Sequence, residues 1–193
     1  MPSFSYELRY LEAGADILGN FLLSPEIYWP LGISAPAGET PYPQLTLGNL
    51  ELSRLRASVL ANNSEEQEQL ARVNEKFKQV HKQWQVAWEN KATHEIRSRL
   101  TQWRNFLEDY RDNSAANYDR YFYDVFRRVI CQILTPEAGG LSKADAEMIS
   151  GLDGLLSSLL IKGDFVWEPQ LKSAFPETDF WYLYGRLPKE RPL

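Results

Sequence analysis

SEEQEQLARVNEKFKQVHKQWQVAWENKATHEIRSRLTQWRNFLEDYR, residues 64–111, is the stretch whose reading decides the fold. It holds neither glycine nor proline. Apolar residues recur in it at Leu70, Val73, Phe77, Val80, Trp84, Trp88, Ala92, Ile96, Leu100, Trp103, Leu107 and Tyr110. Every step is three or four residues, which lines the side chains along one stripe of a helix. Ser64-Glu65-Glu66-Gln67 reads as a capping box, the Ser64 hydroxyl accepting an N–H three residues on while Gln67 reaches back. The spacing predicts one long amphipathic helix.

A straight helix of this length would span about 70 Å, whereas a compact chain of 193 residues has a diameter of roughly 40 Å. The helix must therefore overhang the globule, bend, or be covered by a partner subunit. Asn90 to Thr93, where the stripe is weakest, is the expected bend.

On the N-terminal side, Leu47 to Asn62 predicts a helix with Leu50, Leu55, Val59 and Leu60 inward. The short turn Asn62-Asn63-Ser64 sets it antiparallel to the long one. Residues 4–23 predict another helix, with Tyr6, Tyr10, Ile17, Leu18, Phe21 and Leu22 on one side and Pro25 ending it. Between them, residues 24–46 form a proline-rich connecting arm that also carries Ile27, Tyr28, Trp29, Leu31 and Ile33. Connections this long are unusual in compact domains. Either the arm is laid across the helices with its rings filling grooves, or it is a binding loop or lid.

On the C-terminal side, Asp112-Asn113-Ser114 makes a corner. Tyr118, Phe122, Val125, Val129, Ile130 and Ile133 then predict a helix that returns along the long one and ends before Pro136. Ser142, with Asp145 three residues on, caps a further helix. Its broad apolar face runs from Met148 to Leu160, and Gly151 and Gly154 on or near it would allow close helix packing. Residues 163–193 form an aromatic C-terminal arm expected to wrap back over the helices, with a helical turn after Pro176 and frayed residues from Lys189 to Leu193. The expected fold is an all-α antiparallel helical bundle of about five helices, a single domain over 1–193 with one long, bent helix and two proline- and aromatic-rich arms.

Composition narrows the function classes. With 44% hydrophobic and 24% charged residues the chain is globular rather than disordered. The net charge of −5 offers no broad basic field to neutralise phosphates, which disfavours nucleic acid as a main partner. Seven arginines, Arg97, Arg99, Arg104, Arg111, Arg120, Arg127 and Arg128, straddle the second corner. Carboxylates are interleaved with them, which favours a salt-bridged surface over a phosphate patch. The lone Cys131 excludes an internal disulfide and a cysteine-rich zinc site, and reads as a small core side chain. No signal peptide is expected from the acidic first residues, and no run of about 18 uninterrupted apolar residues occurs, so no membrane partner is expected and the cytoplasm is the expected compartment.

Catalytic motifs are missing: there is no Gly-x-Ser-x-Gly elbow, P-loop, dinucleotide fingerprint or kinase motif. His81 and His94 lie thirteen residues apart, about 140° around one helix, so a straight helix cannot bring them to one metal. No catalytic residue, cofactor or metal ligand is assigned. Asp124, in an aromatic-rich run beside Arg127 and Arg128, reads as a surface ion pair unless it turns inward. The candidate partner contacts are the arm aromatics Tyr28, Trp29, Trp181 and Tyr184, since exposed rings anchor interfaces. These residues and the overlong stripe point to a non-catalytic interaction or assembly protein, a homo-oligomer or a binder of another protein. The alternatives are a ligand-binding or enzymatic bundle with a Tyr/Trp-lined pocket beneath an arm and, more weakly, a nucleic-acid accessory protein.

Overall fold

The computed structural model describes residues 3–190, and the chain in it is mostly helical. The first helix, α1 (Phe4–Leu23), begins where the Ser3 hydroxyl accepts the N–H of Tyr6 and stops at extended Ser24. The second, α2 (Leu47–Leu60), is capped by Thr46, whose hydroxyl accepts the N–H of Asn49 at 3.0 Å.

The decisive stretch forms two helices, α3 (Ser64–Gln83) and α4 (Gln85–Asp112), separated by Trp84 alone. At φ −122° and ψ 34° this residue leaves the helical region. The bend thus lies at Trp84 and not at Asn90 to Thr93, which α4 crosses unbroken. No glycine or proline marks the spot. Its effect is geometric: the apolar stripe turns and stays on the core. The cap also differs by one residue. Asn63 accepts the N–H of Glu66 at 3.0 Å, and the Glu66 carboxylate takes the N–H of Asn62 at 2.7 Å. Ser64 is already helical, so the reciprocal arrangement expected of Ser64 and Gln67 is made by Asn63 and Glu66.

Phe77, Trp88, Ile96, Trp103, Leu107 and Tyr110 are all buried, while Val80 and Trp84 are half-buried. The stripe is therefore covered by its own chain, α3 against α1 and α4 against the later helices. That removes the overlong stripe as a reason for self-association.

The helix expected after the second corner is a staircase. It comprises α5 (Ser114–Asn117), a 3-10 turn at Tyr118–Arg120, α6 (Tyr121–Asp124) and α7 (Phe126–Leu134). The Asn117 side chain donates to the carbonyls of Asp109 and Asn113, the local competition by which asparagine ends helices. The last of these pieces, α7, does return along α4. After a 3-10 turn at Pro136–Ala138 comes α8 (Lys143–Leu159), capped as expected by Ser142. Only Asp145, Leu152 and Leu156 of α8 are buried, and Gly151 and Gly154 face open space instead of a close helix neighbour.

The all-α expectation needs one further correction: the described residues hold eight α-helices instead of five, and a small sheet. Strand β1 (Ile161–Phe165) pairs antiparallel with β2 (Tyr184–Arg186), Ile161 opposite Arg186 and Lys162 opposite Gly185. A bulge follows Lys162. Between the strands, 3-10 turns at Pro169–Ala174 and Trp181–Leu183 fold Phe175 and Tyr182 inward to complete burial. The C-terminal arm thus wraps back with a helical turn after Pro176, as expected, but closes as a hairpin. The fraying expected of Lys189 to Leu193 falls in part on 191–193, outside the described residues.

Candidate interaction surface

A catalytic site would need converging polar groups with spare hydrogen-bonding capacity, so the interior charges come first. Glu95 is wholly buried, and its carboxylate accepts the N–H of Gly48 at 2.8 Å and two bonds from Arg99 at 3.0 and 3.2 Å. The Arg99 guanidinium lies between the rings of Tyr28 and Phe126, at 5.3 and 5.2 Å from their centroids. Buried Glu7 accepts from Ser53 at 2.5 Å and faces Arg56 at 3.9 Å. Burial raises its carboxyl above the usual range, against the pull of Arg56 and the Ser53 hydroxyl. Arg128 meets both oxygens of Asp153 at 2.7 Å. Asp124 has turned inward, and Arg120 and Arg127 both pair with it. Most of these charges tie one element to another, while the buried Arg56 Nε has no hydrogen-bond partner among the described residues.

The remaining reactive types are similarly placed. Cys131 is buried, and desolvation pushes its thiol up to about 12, far from a thiolate at neutral pH. His94 is exposed on α4, whereas the His81 ring stacks on Trp88 at 4.5 Å across the bend. No group of three or more His, Cys, Asp or Glu suited to a metal occurs among the described residues. The arginines around the second corner are mostly tied up: Arg97 pairs with Asp145, Arg104 with Glu108 and Arg120 with Asp109. No helix of the described residues is long and apolar enough to cross a membrane.

The N-terminal arm is laid against the helices at its two ends, while residues 32–44 are exposed apart from half-buried Ala35 and Tyr42. Trp29 and Leu45 exchange both backbone hydrogen bonds, at 3.0 and 2.8 Å, closing the arm at its base. Lys91 clamps it to α4 by donating to the carbonyls of Ser24 and Glu26, each at 2.7 Å. The Tyr28 hydroxyl meets Ser98 and accepts from Gln102 at 2.7 Å. Tyr28 and Trp29, two of the candidate partner contacts, are thus half-buried against their own chain.

The other two, Trp181 and Tyr184, line a groove of about 430 Å³ with Lys162, Leu160 and Glu177. Trp181 is half-buried; Tyr184 is buried, its hydroxyl donating to Phe175 O at 2.7 Å. A second groove, of about 530 Å³, is lined by Lys162–Asp164 and by the Tyr118–Phe122 corner. Phe122 stands 44% exposed at its wall, with Tyr123, 72% exposed, edge-on to it at 5.1 Å. Ile161, at the start of β1, is 45% exposed. Lys162 belongs to both grooves.

Phe122, Tyr123 and the strand were missed as surface residues because Phe122 fits the helical stripe as well as its neighbours do. A signal was available. Tyr121, Phe122 and Tyr123 are consecutive, and consecutive helical residues fan over some 200°, so one helix face cannot bury all three. Tyr121 is the one taken inside, its hydroxyl donating to Tyr182 O.

Compared with known proteins, the chain matches no family model, no curated protein and no solved structure at a significant level.

Proposed function

We propose that this chain is a non-catalytic assembly protein that associates with itself through the face made by its C-terminal hairpin and the Phe122–Tyr123 corner. The observation that carries this is the company these side chains keep. Leu23, Ile33 and Val86 are also exposed, but Phe122 and Tyr123 pack edge-on at 5.1 Å, and Phe122 lines a groove together with Lys162, Gly163 and Asp164 of β1. Apolar exposure gathered beside a concave surface marks an interaction site, whereas scattered residues need no explanation. The non-catalytic part of the reading is supported by the interior carboxylates Glu7, Glu95 and Asp124, each of which is held by a side-chain partner of its own chain. The reading keeps one domain and the cytoplasm as its compartment.

Sedimentation velocity over a wide range of concentration tests it. The expected result is a mass that rises from one chain to two, and a Phe122→Ser/Tyr123→Ser variant that stays helical by circular dichroism but remains monomeric. A single-chain mass at every concentration would overturn the proposal.

A second reading has one observation in its favour. The cleft of about 480 Å³ beside the bend is lined by Arg54, Lys78, His81, Trp88 and Glu137, and the Trp88 indole donates to Glu137 at 2.9 Å. This is charged and aromatic chemistry suited to a small zwitterion. A panel of amino acids and related zwitterions that raises the melting temperature of the wild type, and not of Glu137→Gln, would move this reading ahead; no shift with any member removes it.

A further inference from the structure

The assembly reading leaves open what sits on the face, and the strand itself supplies a constraint. Within the two-stranded sheet β1 has β2 as its single neighbour, so its other edge carries no strand. Residues 161–164 are exposed along that edge, and at Gly163, which has no side chain, the exposed surface is backbone. An unpaired edge of this kind accepts a further strand through main-chain hydrogen bonds. Three features guard it against indiscriminate pairing: the strand is short, Lys162 projects from it, and it bulges after Lys162.

A partner must therefore place a negative group opposite Lys162 and tolerate a small residue at the bulge. The sequence of β1, Ile161-Lys162-Gly163-Asp164-Phe165, does both when read against itself. In an antiparallel pair centred on Gly163, Lys162 faces Asp164 of the second copy, Ile161 faces Phe165, and glycine faces glycine. Slipping the centre to residue 162 sets lysine against lysine, and slipping it to 164 sets aspartate against aspartate, both unfavourable. Neither Lys162 nor Asp164 forms an ion pair with another described residue, so both charges remain for a partner. We infer that two copies of this chain pair β1 against β1 across a two-fold axis at Gly163, joining two hairpins into one four-stranded sheet. The inference rests on the self-association proposed above and names its interface. The exposed Ile161 and Phe122 flank the edge and give the two-fold contact its apolar part.

Charge exchange on the full-length chain tests this. Lys162→Asp, or Asp164→Lys, replaces two attractive cross-strand pairs by two repulsive ones and should weaken the dimer about tenfold or more in sedimentation equilibrium. The double variant Lys162→Asp/Asp164→Lys restores opposite charges in the same register and should return the dissociation constant to near the wild-type value. Circular dichroism and melting curves of the monomers show that each variant is folded. A dimer that ignores both single substitutions, or a double variant as weak as the singles, overturns strand pairing while leaving self-association standing. A wild type that is monomeric throughout overturns both.

Discussion

A carboxylate oxygen of Glu95 accepts the backbone N–H of Gly48 at 2.8 Å, although 47 residues separate them. The bond fastens the first turn of α2 to the middle of α4 and satisfies one of the N–H groups that a helix start leaves without an intrahelical partner. It also fixes the residue type at position 48. A Cβ there would stand 2.8 Å from the other Glu95 oxygen and would press on Ile130. Gly48→Ala should therefore destabilise the chain by about 1–3 kcal/mol through overpacking, although alanine is the better helix former by roughly 1 kcal/mol. Chemical denaturation measures the difference, and a stabilised variant would show that α2 slides away freely.

Glu95 and Arg99 are both inaccessible, so removing one charge strands the other. Glu95→Gln keeps the shape and the acceptor for Gly48 but leaves a buried guanidinium without its counter-ion. The expected loss is about 3–5 kcal/mol. Removing both charges, as in Glu95→Gln/Arg99→Met, should cost less than the single substitution. A double-mutant cycle by urea unfolding gives the coupling directly, and an additive cycle would mean that the pair contributes nothing.

Glu7 gives the fold a pH dependence of defined sign. Its carboxyl is raised above the usual range by burial, so the folded chain holds the proton more tightly than the unfolded chain does. The resulting stability is fully present below the ordinary carboxylate range and is lost as the pH rises through the folded value. Glu7→Gln should therefore raise the melting temperature relative to wild type at about pH 8, with the gain shrinking towards pH 4. Asp145 acts in the opposite sense. Its hydrogen bond from Ser142, aided by Arg97, holds it below the usual range, so its contribution is lost in acid. A constant difference between wild type and Glu7→Gln across the range would rule out the buried carboxyl as the cause.

What could be read in the sequence followed the range of the interactions. The bounds of α1 and the Ser142 cap rest on patterns within a few residues, and both stand in the structure, whereas of the helix expected from Tyr118 only the last piece, α7, returns along α4. Trp84 carries no local mark of a bend, because the bend is imposed by the curvature of a core that the stripe must follow. The strand Ile161-Lys162-Gly163-Asp164-Phe165 has little intrinsic β character, and its pairing with residues 184–186 closes through burial of Phe175 and Tyr182 between them. Tyr28 and Trp29 were recognisable as important from their place in a proline-rich arm. That their importance is inward depended on Lys91 and Gln102, which no local pattern connects to them. The exposed pair Phe122–Tyr123 was hidden for the converse reason, since apolar residues at helical spacing are ordinarily core.

Gly151 and Gly154 pose the opposite case to Gly48. Both lie inside α8, and a Cβ built at either meets nothing within 4 Å. Glycine inside a helix costs roughly 0.5–1 kcal/mol relative to alanine through the backbone entropy it forfeits on folding. With no neighbour to displace, Gly151→Ala/Gly154→Ala should recover that cost at each position, raising the melting temperature by a few degrees in a chain of this size. With the contact between copies running along β1, the same variant should dimerise as the wild type does. If alanine here lowers the mass seen in sedimentation while the monomer is more stable, the glycines face another chain, and the contact between copies runs along α8 instead of β1.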